Sequence, residues 1–173
     1  TIEQVIDAFK EFVGLSRREV AIGLMERFAL EDKAAAQMDE FGVSTPWQAF
    51  VQIRLRYYND MLADPEVIRH NQWPHNMGLL RLAREHGCKT ALATMSYWDQ
   101  VQRVLDVLDL RDSFDFIATR EDVHDGKPNA EIYRLVLKEL ETPPEEALVI
   151  EDSVNGVEAA LAAGIHVIAV STP

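Results

Sequence analysis

Cysteine is nearly absent: Cys88 stands alone among 173 residues. One thiol cannot form a disulfide within the chain, so a cross-linked secreted scaffold is excluded and a reducing, cytoplasmic setting is the expectation. Basic residues are also scarce. Lys and Arg number 17 against 29 Asp and Glu, for a formal net charge of −12. That balance argues against nucleic acid and anionic membrane as partners, because both are bound through positive surface. It also repels anionic substrates at long range, so any phosphate handled here must be drawn in by local groups. No apolar run approaches the ~20 residues that cross a bilayer, and no basic-then-apolar leader is found, so neither a membrane span nor an export signal is expected. No glycine-rich fingerprint follows a strand-like run, which disfavours a dinucleotide site. Internal repeats and low-complexity segments are missing too.

What is present is an ordinary globular composition, with 47% hydrophobic residues. A chain of this length can bury roughly 70% of its unfolded surface and needs no staples. Its two parts differ in period. Thr1 and Gln4 have the form of a capping box. Ile2, Val5, Ile6, Phe9 and Phe12-Val13 then recur at helical spacing, as do Val20, Leu24 and Phe28, and later Phe50, Ile53, Tyr57 and Met61. Ser44-Thr45-Pro46 is a helix start. From Trp73 onward, short apolar runs alternate with amphipathic stretches. Strands are expected over 89–94, 114–118, 147–150 and 166–170, with helices over 76–86 and 130–140, another around Val101 to Leu108, and one ending at Gly164. This alternation implies βαβ units and a parallel sheet. The expected fold is therefore α/β, with a helical domain over residues 1–71 and a Rossmann-like parallel-sheet domain over 72–173. Tyr57 and Tyr58 are expected in the core of the helical part, and Cys88 as a small buried hydrophobe.

In open parallel sheets, ligands bind beyond the carboxyl ends of the strands. The first expected strand ends in Thr94-Met95-Ser96, and the second leads to Gly126-Lys127-Pro128. The third ends in Glu151-Asp152-Ser153. Each has a plain reading. Thr94 or Ser96 can cap a helix, Lys127 can be a solvated loop lysine, and the two acids can favour a helix N-terminus. Their conjunction, each at the end of an apolar strand, points instead to a phosphate site. Mg²⁺ takes oxygen ligands, usually one or two protein carboxylates plus substrate oxygens, and Glu151 and Asp152 supply these. Two adjacent acids repel unless a cation sits between them. The Thr94 hydroxyl and the N–H groups of Met95 and Ser96, expected to open a helix, suit an anion, and Lys127 adds positive charge as phosphoryl charge develops. A covalent route also needs a nucleophile, and no residue in these motifs offers one. His124 reads as an exposed loop histidine.

The stretches "ALATMS", "GKP" and "VIEDSVNGVEAALAAG" resemble the second, third and fourth motifs of the haloacid dehalogenase-like superfamily, and within it the β-phosphoglucomutase-like branch. The run from Phe12 to Arg17 resembles that branch's cap-domain signature. The resemblance implies a helical cap before a Rossmann-like core, and a phosphatase or phosphomutase acting on a small phosphorylated metabolite such as a sugar phosphate. It implies that Thr94 and Lys127 bind and orient the transferring phosphoryl group, that Glu151 and Asp152 hold Mg²⁺, and that Arg17 reaches the distal part of the substrate. Ser16, Met95, Ser96 and Arg54 are further substrate-binding candidates. Two departures lie away from the chemistry: the loop reads Lys127-Pro128-Asn129-Ala130 where a second proline is usual, and His75 follows Pro74 where glycine is usual. A third bears on it. The first motif, an apolar strand ending in Asp-x-Asp whose first acid is the nucleophile, has no counterpart in this sequence. That strand belongs mid-sheet, between those ending at Thr94 and Ile150. Its lack leaves a gap of unpaired backbone groups, and the expectation is a longer polypeptide or a second chain that supplies it. A metal-independent haloacid dehalogenase and a non-catalytic phosphate-binding module are the competing readings.

Overall fold

The computed structural model describes residues 1–12 and 17–170. The chain divides into two compact units, Thr1–Met61 and Leu62–Pro173. The first is helical: α1 (Ile2–Lys10), α2 (Arg17–Phe28), the short α3 (Glu31–Ala35) and α4 (Met38–Phe41), and α5 (Pro46–Ala63). Thr1 caps α1 as its spacing predicts, its hydroxyl accepting the Gln4 N–H at 3.3 Å. Ala8, Val20 and Leu24 form the core of this unit, with Phe12, Phe28 and Phe50 packed against it. Gly23 allows the α1–α2 approach, because a Cβ there would collide with the Phe12 ring. Tyr57 and Tyr58 differ from expectation. They are 66% and 39% exposed.

The second unit runs α6 (Pro65–His70), α7 (Pro74–Glu85), β1 (Ala91–Ala93), α8 (Trp98–Leu108), β2 (Phe116–Ala118), α9 (Glu131–Glu139), β3 (Leu148–Glu151), α10 (Val154–Ala162) and β4 (His166–Ala169). Proline at the first turn starts both α6 and α7. Gly87, at φ +75° just past the end of α7, lets the chain turn into β1. β1 pairs in parallel with β2, Ala91 opposite Phe116 and Ala93 opposite Ala118. β3 pairs in parallel with β4, Leu148 opposite His166 and Glu151 opposite Ala169. The two pairs are separate two-stranded sheets. α9 packs on β1 and β2 and α10 on β3 and β4, with α9 touching α10. The residues between them, Ala118, Val123, Ile132, Tyr133, Ala159, Ala160 and Ile165, form one buried cluster.

β1 is shorter than the expected 89–94, and Thr90 accounts for its start. The Thr90 N–H donates to Asp115 Oδ2 at 2.7 Å, and its hydroxyl to the Ser113 carbonyl at 2.7 Å. Side-chain bonding thus takes the Thr90 N–H, while its carbonyl still accepts the Asp115 N–H at 2.8 Å. Cys88 lies in the turn ahead of this point and is exposed rather than buried. Among the described residues, no helix is long and apolar enough to cross a membrane.

Candidate active site

β3 ends at Glu151 and α10 starts three residues later, so Glu151-Asp152-Ser153 make the strand-to-helix turn. Ser153 is the cap: its Oγ accepts the Gly156 N–H at 3.0 Å and donates to Glu151 Oε2 at 3.0 Å. The same Oε2 accepts the N–H groups of Asp152 at 3.1 Å and Ser153 at 3.2 Å. Glu151 Oε1 accepts the Tyr133 hydroxyl at 2.9 Å and pairs with Lys127 Nζ. Both side chains of that ion pair are nearly enclosed, 8% exposed for Lys127 and 9% for Glu151. Five donors therefore meet one carboxylate, as a buried anion requires. Gly156 is glycine for a steric reason, since a Cβ there would fall on the Glu151 carboxylate itself. Asp152, by contrast, is exposed, and its carboxylate has no hydrogen-bond or ion-pair partner among the described residues.

Burial alone would raise the Glu151 pKa. The Lys127 ammonium outweighs it, through its hydrogen bond and its charge, and together with the Tyr133 hydroxyl and the Ser153 N–H holds the carboxyl below its ordinary value. Burial, reinforced by the negative charge on Glu151, pushes the Tyr133 phenol well above its own. Tyr133 is thus a neutral donor at any physiological pH.

Lys127 sits in a loop that fastens itself. The Glu131 carboxylate, at the start of α9, accepts the N–H groups of His124 at 2.9 Å and Asp125 at 2.7 Å. Asn129 N–H donates to the Gly126 carbonyl at 3.0 Å, and Asn129 Oδ1 accepts the Glu131 N–H at 2.9 Å. Arg120 adds bonds to the carbonyls of Val123 (2.7 Å) and His124 (3.3 Å). Those backbone bonds are the largest cause holding the Glu131 carboxyl below its ordinary value. His124 itself is exposed. From this clasp Lys127 turns inward, and its Nζ donates to the Ala93 carbonyl at 3.1 Å. The ammonium thus ties the end of β1 to the end of β3. It lies 4.9 Å from the centre of the Tyr133 ring, within cation–π range.

Thr94 follows Ala93 directly. Its N–H continues the ladder to the Ala118 carbonyl at 2.9 Å, and its Oγ1 accepts the Ser96 N–H at 3.1 Å, leaving the hydroxyl proton free to donate. The Met95 N–H has no partner among the described residues. The turn departs from expectation in one respect. Met95 and Ser96 do not open the helix; α8 begins at Trp98, whose N–H is taken by Glu121 Oε2 at 2.6 Å. Glu121 occupies the helix start because the loop after β2 runs alongside, with the Arg120 N–H on the Ser96 carbonyl at 3.1 Å. Met95 also lines the Lys127 loop, since a Cβ on Gly126 would come within 2.8 Å of its Cε.

Thr94, Met95, Ser96, Lys127, Glu151 and Asp152 thus belong to one edge of the second unit. Arg17 and Arg54 belong to the first. Arg17 opens α2 and is exposed; Arg54, on α5, lies 5.5 Å from the centre of the Phe9 ring. Ser16 falls outside the described residues. Tyr133 and Glu131 were not singled out by sequence. Their signal was faint: a tyrosine on the buried face of an amphipathic helix needs a partner for its hydroxyl. Here that partner is the acid at the end of β3.

The second unit thus carries a threonine turn, a tethered lysine and an acidic turn at the carboxyl ends of its strands. The chain belongs to the haloacid dehalogenase-like hydrolase family, whose model matches residues 3–164, and within it to the β-phosphoglucomutase-like branch. A phosphorylated carbohydrates phosphatase of Thermotoga maritima is 31% identical over 160 residues, covering 92% of this chain and 66% of that protein. The crystal structure of a CbbY variant from Rhodobacter sphaeroides in complex with xylulose-(1,5)bisphosphate is 28% identical, with a TM-score of 0.61, over 76% of this chain and 58% of that one. A β-phosphoglucomutase from Clostridium difficile shares the fold at 23% identity, with a TM-score of 0.65, over 92% of this chain and 66% of that one. The chain spans less than two thirds of the length of these relatives.

Proposed function

We propose that the protein is a Mg²⁺-dependent phosphatase or phosphomutase acting on a small phosphorylated carbohydrate. The observation that carries this reading is the Lys127 ammonium, enclosed and held between the Ala93 carbonyl and Glu151. An ammonium has three N–H donors. Two are engaged, and the third remains for an anion next to the Thr94 hydroxyl and the Met95 N–H. Lys127 Nζ bonds to the carbonyl of Ala93, the residue directly before Thr94 and Met95, so in a protein with a net charge of −12 these donors would supply the local attraction that a phosphate group requires. The CbbY complex with a sugar bisphosphate and the carbohydrate phosphatase relative support the substrate class.

Residues 1–71 serve as the cap and 72–173 as the core in this reading, with Arg17, Arg54 and Ser16 as the cap's candidates for contact with the sugar. Thr94, Met95 and Ser96 cradle the phosphoryl oxygens while Lys127 offsets the charge that grows on them. The donor set at the acidic turn suits Mg²⁺. Asp152 offers a free, exposed carboxylate, and Glu151 adds negative charge beside it. Mg²⁺ takes one or two protein carboxylates and completes its shell from substrate and water. When bound, Mg²⁺ would neutralise phosphoryl charge and hold the group for in-line attack. The attacking group is an aspartate on a strand seated between β1 and β3, carried by the same polypeptide or by a second chain. It would form an aspartyl-phosphate as the ester P–O bond breaks and the sugar leaves as its protonated hydroxyl, and water or a sugar hydroxyl would then take the phosphoryl group and free the carboxylate.

Asp152→Ala tests the reading. Because Asp152 is exposed and unpartnered, its loss should leave the melting temperature within a degree or two and reduce Mg²⁺-dependent ester turnover by at least about a hundredfold. Turnover retained at the wild-type level would remove Asp152 from the metal site, and turnover indifferent to chelator would point to the metal-independent dehalogenase.

A further inference from the structure

Tyr133 is a buried residue with a polar tip that the proposed chemistry leaves without a role. Its hydroxyl reaches Glu151 Oε1 at 2.9 Å, and its ring faces the Lys127 ammonium at 4.9 Å. It therefore touches both members of the ion pair at once, from the floor of the site, on a helix whose neighbouring Ile132 is completely buried. Oε1 has two lone pairs. Lys127 uses one and the Tyr133 hydroxyl the other, while the other carboxylate oxygen is already filled by Asp152 N–H and by the Ser153 N–H and hydroxyl.

We propose that Tyr133 is a positioning residue that limits how far Glu151 can draw the Lys127 ammonium away from the phosphate site. The inference rests on the functional reading above. With the second lone pair of Oε1 occupied, the carboxylate can accept only one N–H from Lys127. The bond to the Ala93 carbonyl takes another, and the third stays directed at substrate. The ring supports the ammonium from below without competing for a proton. Without the hydroxyl, Oε1 offers its open lone pair to the nearest donor, which is the same ammonium. Lys127 then settles more deeply on Glu151, and the proton meant for the phosphoryl oxygen is spent on the ion pair. Tyr133 thus acts through Lys127 and never touches substrate.

Tyr133→Phe separates the hydroxyl from the ring, since it keeps the packing and the cation–π contact. On the intact protein, at saturating Mg²⁺, kcat for a sugar phosphate ester should fall about tenfold with KM changed less than about twofold. The dissociation constant of inorganic phosphate, read by calorimetry without turnover, should rise about fivefold. The melting temperature should stay within a few degrees of wild type. Tyr133→Met, which also removes the ring, should lower kcat further. A Tyr133→Phe variant with wild-type kcat and phosphate affinity would overturn the inference, and so would one whose only change is a lower melting temperature. A wild-type protein that neither hydrolyses or isomerises any phosphate ester nor binds inorganic phosphate would instead sink the functional reading on which the inference stands.

Discussion

The Lys127–Glu151 pair is a case where structure and chemistry make opposite demands on one residue. Two charges so nearly enclosed are costly to bring out of water, and their mutual attraction roughly offsets that cost. Removing one of them leaves the other buried and uncompensated. Lys127→Ala should therefore lower unfolding stability by about 3–5 kcal/mol and abolish turnover together, so activity alone would misassign the residue. The double variant Lys127→Met/Glu151→Gln separates the two roles. Denaturant unfolding should show most of the stability returning, because an apolar stem and a neutral amide fill the same space. Turnover should stay absent. Stability that does not return would mean that the pair holds the two sheets' ends in register rather than merely neutralising itself.

At the scale of elements, the loop between β2 and α9 is built by the side chain of Glu131. Its carboxyl is held below the ordinary value near 4, chiefly by the Asp125 and His124 backbone N–H groups. A carboxyl depressed on folding contributes stability that is fully present above its unfolded pKa and is lost as pH falls through its folded one. Asp115 and Glu151 are shifted in the same direction. The urea midpoint should therefore decline as pH drops from about 5 to about 3. Glu131→Gln should make the decline shallower and, by loosening the clasp, lower kcat at neutral pH. An unchanged slope would show that the loop is fastened by other bonds. Elements were also where sequence served best and worst. Thr1, Pro46 and Gly87 mark boundaries through local chemistry, and the structure uses them so. The start of α8 was misplaced because Glu121, 23 residues after Trp98, supplies the bond that sets it. The start of β1 moved because the Thr90 N–H and hydroxyl go to the Asp115 side chain and the Ser113 carbonyl. Periodicity within a segment carries no trace of such distant partners. Tyr133 was passed over for the same reason. Its partner stands 18 residues away on another element, whereas the lysine loop and the acidic turn announce themselves by residue type.

For the molecule as a whole, the net charge of −12 sets the site against its surroundings. On the function proposed above, an approaching phosphate ester would meet repulsion until it came within reach of Lys127, Thr94 and Met95. Salt screens long-range repulsion more than the enclosed contacts, since the Debye length shrinks to about 8 Å at physiological ionic strength. At fixed Mg²⁺, raising NaCl from about 20 to about 150 mM should thus increase kcat/KM severalfold. A basic substrate funnel would give the reverse, and that result would place unrecognised positive charge on the approach.

Gly156 touches no substrate, yet a methyl group at its Cα would land on the Glu151 carboxylate. Every single-base change that alters a glycine codon to another amino acid introduces a β-carbon. Inherited or selected variation at this codon consequently has no mild class: each missense allele must push Glu151 off its donors and release Lys127 from its tether. A random-mutagenesis survey scored by loss of activity would return position 156 beside Lys127 and Asp152, and the three would look like one catalytic group although the proposed chemistry uses only the latter two.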